Sequence, residues 1–86
     1  MNNVDKLKEQ GYENSVVYQN PSFDEAIVGV DIITGSVIYN YNLMVQCLIK
    51  NENMTEEAVD FIDYNTIRAT PYMPEPRPII LNEMII

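Results

Sequence analysis

This sequence of 86 residues has no histidine and no tryptophan, and it has a single cysteine, Cys47. Without histidine the usual general base near neutral pH is missing, and so are nucleophilic triads of the Ser-His or Cys-His kind. One cysteine cannot form an internal disulfide, and it leaves too few ligands for a zinc site built from histidine or thiolate. We therefore predict a non-enzymatic protein without a cofactor or metal, whose fold is held together by packing alone.

Basic residues are also scarce, because five Lys and Arg stand against thirteen Asp and Glu and leave a net charge of −8. Binding of nucleic acid or of anionic lipid depends on clustered basic residues, so direct contact with nucleic acid or a membrane is not expected. No apolar run approaches the ~18–20 residues that span a bilayer, and the first residues lack the pattern of a signal peptide. These observations predict a cytoplasmic protein.

The first half of the chain predicts a helix and three short strands. Residues 3–10 have helical spacing and are followed by Gly11, a residue that commonly ends helices. Residues 15–18 favour a strand that Pro21 closes. Residues 26–33 and 36–39 are rich in β-branched side chains, and the Thr34-Gly35 turn between them predicts a hairpin. Gly29 inside the first of these runs indicates a bulge or a close backbone approach.

The second half predicts two helices and a last strand. Leu43, Met44, Cys47 and Leu48 have helical spacing, with Asn40 or Asn42 placed to cap the first turn. Thr55 is the expected N-cap of the second helix, whose first turn holds Glu56 and Glu57. Pro71 is expected to end that helix at Thr70. Residues 79–81 then form a strand, which begins at Pro78 or lies at an edge because proline cannot donate to a ladder.

This order of elements predicts one α+β domain over residues 1–86. We expect a small, mainly antiparallel sheet of three to four strands, with two to three helices packed on one face. The last residues, Met84 to Ile86, are too apolar to stay in water. They are expected to pack on the sheet or against another subunit.

Three acidic residues of the second helix, Glu56, Asp60 and Asp63, lie at spacings that place them on one face. Asp60 and Asp63, three residues apart, could bind a divalent cation or run acid–base chemistry, but with Glu56 and Glu57 they look more like a solvated acidic face. Cys47 lies on the apolar stripe of its helix, so we expect a buried, unreactive thiol. Arg68 and Arg77 are expected to find carboxylates nearby, in a tertiary ion pair that pins the proline-rich turn.

Six tyrosines give this acidic chain amphipathic side chains of the kind enriched at protein interfaces, although tyrosines also line the edges of cores. Tyr64 lies next to Asp63. The acidic residues and this tyrosine therefore form the candidate partner-binding set: Glu56, Asp60, Asp63 and Tyr64.

The block from Met54 to Tyr72, Met-Thr-Glu-Glu-Ala-Val-Asp-Phe-Ile-Asp-Tyr-Asn-Thr-Ile-Arg-Ala-Thr-Pro-Tyr, with Pro-Ile-Ile-Leu at 78–81, resembles a family of short uncharacterised proteins of bacteriophages and prophages. Gly-Tyr-Glu-Asn at 11–14, Ile-Val-Gly-Val at 27–30 and Tyr-Asn-Tyr-Asn-Leu-Met at 39–44 fit the same pattern. The resemblance implies a setting in a host bacterial cell, and it carries over no catalytic residues. Small acidic phage proteins often look like binders that block host machinery, CRISPR nucleases included.

Together these observations predict a non-enzymatic protein-binding module of phage or prophage origin that engages a basic protein partner. An inhibitor of a host nucleic-acid-binding protein, such as a CRISPR nuclease, fits this description. One alternative is a structural or scaffold protein that forms a homo-oligomer through its C-terminal strand. A second alternative is a metal-dependent enzyme that uses Asp60 and Asp63.

Overall fold

The computed structural model describes residues 2–84. The α-helices and β-strands follow one another as α1 (Asn3–Glu9), β1 (Ile27–Val30), β2 (Val37–Asn40), α2 (Tyr41–Asn51), α3 (Glu57–Phe61) and β3 (Ile79–Leu81). A π-helical segment (Ile62–Ile67) continues α3, and short 3₁₀ turns occupy Asp24–Ala26 and Thr70–Tyr72. The described residues therefore confirm the predicted α+β class.

The sheet has three strands in the order β1-β2-β3, and it is mixed. β1 pairs with β2 in the antiparallel direction, whereas β2 pairs with β3 in the parallel direction. The parallel pair arises because the chain passes through both later helices between β2 and β3 and returns in the same direction. β3 lies at an edge and begins directly after Pro78, as the sequence predicts.

The hairpin of β1 and β2 is shorter than its sequence pattern. Ile32 and Ile33 were expected in the first strand but lie in the loop, with their side chains almost fully exposed. The Asp31 carboxylate explains this difference, because it accepts hydrogen bonds from the Ile33 backbone N–H at 3.1 Å and the Thr34 hydroxyl at 2.8 Å. The bulge expected near Gly29 is confirmed, since the register shifts between Ile27 and Gly29.

The strand predicted over residues 15–18 is wrong. The backbone N–H of Tyr18 donates to the Tyr39 hydroxyl at 3.1 Å, and that of Ser15 donates to the Tyr12 carbonyl at 3.0 Å. These groups are thus satisfied by a side chain and a turn instead of by a neighbouring strand. Tyr18 enters the core through its ring.

α2 begins where a side-chain cap satisfies its first turn. Asn40 Oδ1 accepts a hydrogen bond from the Leu43 backbone N–H at 3.0 Å, so Asn40 is the cap and Asn42 is an exposed residue of the helix. An N-cap of this kind contributes about 1 kcal/mol to stability because it pairs a backbone donor that the helix leaves free.

We expect Asn40→Ala to lower the free energy of unfolding by about 1 kcal/mol, with a range of about 0.5–2 kcal/mol. Urea denaturation followed by circular dichroism measures the change. Asn42→Ala is the matched control, and its effect should stay within about 0.5 kcal/mol because the side chain is exposed. Equal effects of the two substitutions would contradict the assignment of the cap.

The helix predicted from Thr55 to Thr70 differs at both ends. α3 begins at Glu57, and the Thr55 hydroxyl donates to Glu57 Oε2 at 3.0 Å instead of accepting from a helix N–H. At the other end Pro71 does not stop the helical path at Thr70, since it occupies the first turn of a 3₁₀ helix, where its missing N–H costs little.

The π-helical segment changes which side chains of this helix reach the core. The sequence places Asn65 with Ala58 and Ile62 on the apolar face and Thr66 at its flank. In the structure Thr66 is buried and Asn65 is exposed. A π-helical turn holds more residues than an α-helical turn, so it shifts the buried position along the chain by one.

The core lies between the helices and the face of β2 that carries Val37 and Tyr39. Two aromatic contacts organise it, because the ring centroid of Tyr18 lies 4.8 Å from that of Tyr39 and 6.0 Å from that of Phe23. The other buried apolar residues come from the helices and their connections: Leu7, Ala26, Met44, Cys47, Leu48, Ala58 and Ile62.

The N-terminus of α1 is held by a residue that sequence reasoning missed. The Asp24 carboxylate accepts hydrogen bonds from the backbone N–H groups of Asn3 at 2.9 Å and Val4 at 3.0 Å. The Asn3 side chain in turn donates to the carbonyls of Asp24 and Ile27, at 2.9 and 3.5 Å, so α1 lies beside β1. Asp24 is far from α1 in sequence, and no local pattern connects the two.

No helix within residues 2–84 is long and apolar enough to cross a membrane. The expectation that the last three residues pack on the sheet or a partner concerns Ile85 and Ile86, which lie outside the described residues. Met84 itself is exposed.

Candidate functional site

Each of the four predicted partner-binding residues, Glu56, Asp60, Asp63 and Tyr64, has an exposed side chain. Glu56 precedes α3, Asp60 lies within it, and Asp63 and Tyr64 belong to the π-helical segment. We call Glu56, Asp60 and Asp63 the acidic face.

Asp63 contacts Tyr41, the first residue of α2, and Asp60 lies near enough for its charge to act on the same phenol. The Tyr41 hydroxyl donates to Asp63 Oδ1 at 3.4 Å. Partial burial raises the pKa of Tyr41 above its ordinary value, and the negative charges of Asp63 and Asp60 raise it further. The phenol therefore stays protonated well above neutral pH, where it serves as a hydrogen-bond donor next to two carboxylates.

Tyr64 is joined to Arg68 rather than to the carboxylates. The guanidinium carbon of Arg68 lies 4.5 Å from the centroid of the Tyr64 ring, the geometry of a cation–π contact. The expected ion pair of Arg68 with the proline-rich turn is therefore wrong, because one helical turn places its charge over this ring. Tyr64 presents its other side to solvent.

Arg77 does hold the proline-rich turn, but through local contacts. Its Nε donates to the Pro71 carbonyl at 3.0 Å, and its Nη1 meets Glu75 Oε1 at 2.9 Å. The ion pair joins residues only two apart, so it is not the tertiary pair that the sequence predicts. The bond to Pro71 nevertheless ties the start of β3 to the end of the helical segment.

An open groove of about 820 Å³ runs along the edge strand β3, between the Arg77–Pro71 contact and the Tyr41–Asp63 contact. We call it the β3 groove, and its walls are mostly apolar, with lining residues that include Tyr41, Ile67, Pro71, Arg77, Pro78 and Ile80. Since Tyr41 lines the groove and also contacts Asp63, the Asp63 member of the acidic face lies at one end of it.

Tyr41 and Ile67 are the site residues that sequence reasoning missed. Tyr41 was one of six tyrosines with no signal to separate it from the rest. The structure sorts them, because Tyr18 and Tyr39 are buried, Tyr12 and Tyr41 are half-buried, and Tyr64 and Tyr72 are exposed. The run of four prolines from residue 71 to 78 was the available sign that an extended segment borders a surface.

Cys47 is a buried free thiol, as the helical stripe predicts. Burial raises its pKa, and the nearby carboxylate of Glu25 raises it further. Both effects disfavour the reactive thiolate. Cys47 therefore has the environment of a core residue and not that of a nucleophile.

Within residues 2–84 no group of three or more His, Cys, Asp or Glu side chains is arranged to hold a metal ion. Asp63 bonds to Tyr41, and Asp60 acts on the same phenol through its charge. No observation thus favours the metal-dependent alternative over the others.

No protein-family model, curated protein or solved structure matches this chain. The resemblance to phage and prophage proteins therefore stays a prediction. The function is inferred from the exposed carboxylates, the tyrosines and the β3 groove of this chain alone.

Proposed function

We propose that this chain is a small non-enzymatic module that binds a basic protein partner through the acidic face, Tyr41 and Tyr64. The observation that carries this proposal is the hydrogen bond of the Tyr41 hydroxyl to the exposed Asp63 carboxylate beside an apolar groove, with the exposed Asp60 near enough for its charge to act on the same phenol. Charged groups at the rim of an apolar surface, with tyrosines among them, are the usual composition of a protein interface.

The net charge supports a basic partner. With −8 on 86 residues, the chain attracts a positively charged surface over several ångströms and repels nucleic acid. A partner that itself binds nucleic acid has such a surface, and a host nuclease of the CRISPR type belongs to this class. A phage or prophage origin, which rests on the resemblance, gives the chain a reason to act on host proteins in the bacterial cytoplasm.

Simple imitation of duplex DNA by α3 alone is not the mechanism that we propose. The seven-residue step from Glu56 to Asp63 spans about 10 Å of helix, over which duplex DNA carries about six charges. The acidic face supplies three carboxylates there. Recognition therefore needs contacts in addition to charge density, and the tyrosines and the β3 groove provide them.

The test is affinity capture from bacterial lysate with the tagged full chain, washed in about 0.1 M and about 1 M salt, where the Debye length is about 10 Å and about 3 Å. We expect a basic nucleic-acid-binding protein that is retained at low salt and released at high salt. The bait Asp60→Lys/Asp63→Lys should lose it, whereas Glu9→Lys/Glu13→Lys, with the same net charge, should retain it. A partner that is indifferent to salt and to both double variants would overturn the proposal.

A homo-oligomer through the C-terminal strand is the second candidate, and the position of β3 favours it. β3 is an edge strand, with Ile79 39% and Leu81 43% exposed. Multi-angle light scattering of the full chain separates the two candidates. A dimer whose formation is abolished by Ile79→Lys/Leu81→Lys would establish the second one, and a monomer at micromolar concentration would remove it.

A further inference from the structure

We propose that the partner binds as an extended peptide segment that adds to β3 as a fourth strand, with apolar side chains in the β3 groove and a lysine or arginine opposite Asp60 and Asp63. This inference rests on the proposed function, because it names the kind of segment through which the basic partner is held. Strand addition to an exposed sheet edge is a recurring mode of peptide recognition.

β3 is the edge of the sheet that is open to a new strand. It pairs with β2 on one side, and no other strand within residues 2–84 pairs with the backbone N–H and C=O groups on its other side. The opposite edge, β1, has α1 beside it, and Asn3 donates to the Ile27 carbonyl at 3.5 Å. The first carbonyl of β1 is therefore already bonded to α1.

Both faces of β3 offer apolar contacts to such a strand. Pro78 and Ile80 face the groove, whereas Ile79 and Leu81 alternate with them on the other face and are partly exposed. A peptide in extended conformation sends alternate side chains to the two faces. One set of its side chains would fill the groove, and the other would cover Ile79 and Leu81.

The groove has the size and shape for side chains. Its volume of about 820 Å³ falls within the range of about 300–1,000 Å³ that is typical of ligand pockets. Arg77 bonds to the Pro71 carbonyl at one end, and Tyr41 bonds to Asp63 at the other. These contacts hold the two ends in place before a peptide arrives, which lowers the entropy lost on binding.

The charge around the β3 groove favours a basic peptide over a second copy of this chain. Residues 56–83 contain six carboxylates and two arginines, and Arg77 is already paired with Glu75 while Arg68 lies over Tyr64. Asp63, which contacts Tyr41 at one end of the groove, and the other carboxylates of the acidic face therefore attract a basic side chain. A second copy of this chain would instead bring another net charge of −8 to the same edge, so like-charge repulsion disfavours it.

The experiment selects peptides from a displayed library of random short sequences against the immobilised full chain. The enriched peptides are then synthesised and their affinities are measured. We expect enriched peptides with alternating apolar residues and at least one lysine or arginine. Methylation of the peptide backbone nitrogens, one at a time, should abolish binding at every second position, because only alternate N–H groups of an added strand face β3. Bound peptide should also slow hydrogen exchange at Ile79–Leu81.

Ile67→Gln tests the groove itself. This side chain lines the groove and is 41% exposed, and we expect its replacement to weaken binding of the selected peptides about tenfold. Ile49→Gln is the matched control, since Ile49 is 48% exposed on α2 and lies outside the groove. Its peptide affinity should equal that of the unsubstituted chain.

Four results would overturn this inference. They are a library without enriched peptides, enriched peptides that are acidic, backbone methylation whose effect on binding does not alternate along the peptide, and equal peptide affinities of Ile67→Gln and the unsubstituted chain. Self-association through β3 would also overturn it, because the edge would belong to a second copy. If the partner captured from lysate depends on Asp60 and Asp63 but not on Ile67, the proposed function stands and strand addition fails. If peptides bind as expected but no lysate protein depends on the acidic face, strand addition stands and the proposed function fails.

Discussion

Tyr39→Ala is expected to lower the free energy of unfolding by about 3–5 kcal/mol. Tyr39 is fully buried, packs against Tyr18 at 4.8 Å between ring centroids, and accepts the Tyr18 backbone N–H with its hydroxyl. The substitution removes all three interactions and leaves a cavity in the middle of the sheet face. A domain of this size has about 4–13 kcal/mol of total stability, so the substitution removes a large share of it, and nearly all of it if the stability lies near the lower bound.

Urea denaturation followed by circular dichroism checks this result, with Tyr72→Ala as the matched control. Tyr72 is 90% exposed, so its loss should change the free energy of unfolding by no more than about 0.5 kcal/mol. Tyr39→Phe keeps the aromatic ring and removes only the hydroxyl, so it measures the contribution of the hydroxyl. Tyr39→Phe should lower the free energy of unfolding by about 1–3 kcal/mol, because it leaves the buried Tyr18 N–H without its acceptor. Comparable stabilities of Tyr39→Ala and Tyr72→Ala would refute this description of the core.

The same tyrosine predicts how stability depends on pH at the alkaline end. Burial raises the pKa of Tyr39 to about 12, from an ordinary value of 10.0. Between these two values the unfolded chain loses the phenolic proton while the folded chain keeps it, so stability falls as the pH rises from 10 towards 12. In Tyr39→Phe this contribution is absent, and the urea midpoint should fall less steeply over the same range.

Asp60→Lys/Asp63→Lys is expected to slow association with the basic partner by about 10-fold to 100-fold at low salt. Both carboxylates are exposed, and Asp63 contacts Tyr41 at the end of the β3 groove, so their reversal places two positive charges where the partner's basic surface approaches. The effect should fall mainly on the association rate, since steering acts before contact. Surface plasmon resonance against the captured partner measures both rate constants.

The control is Glu9→Lys/Glu13→Lys, which changes the net charge by the same amount at exposed positions far from α3 in sequence. Its association rate should fall by only a small factor, because the long-range field weakens without loss of the local contact. The difference between the two variants should shrink at about 1 M salt, where the Debye length is about 3 Å. Equal slowing by both variants would show that net charge, and not the acidic face, governs association.

Features that depend on near neighbours were predictable from the sequence. The spacing of Leu43, Met44, Cys47 and Leu48 correctly indicates α2, and Gly29 correctly indicates a bulge in β1. Pro78 correctly places β3 at an edge. In each case the physical cause lies within a few residues of the chain: the helical period, the missing side chain of glycine or the missing N–H of proline.

Features that depend on distant partners were not predictable in this way. Residues 15–18 have the composition of a strand, yet the Tyr39 hydroxyl takes the hydrogen bond that a strand would need. One local turn was missed as well, because Asp31 turns Ile32 and Ile33 out of β1 although their side chains favour strands. The candidate site shows the same division. Its acidic residues were predictable as one face of a helix, whereas the contact between Asp63 and Tyr41 was not.

The sequence alone settled the charge, the absence of histidine, the α+β class and the acidic residues of the candidate site, because these follow from composition and from short-range periodicity. Tertiary packing settled the parallel pairing of β3, the π-helical turn that buries Thr66, and the groove that joins Tyr41 to Ile67 and Ile80. These features arise from contacts between residues more than ten positions apart or from a change in helical pitch. A local pattern carries no information on which of several tyrosines a carboxylate meets, since that choice is made when the core closes.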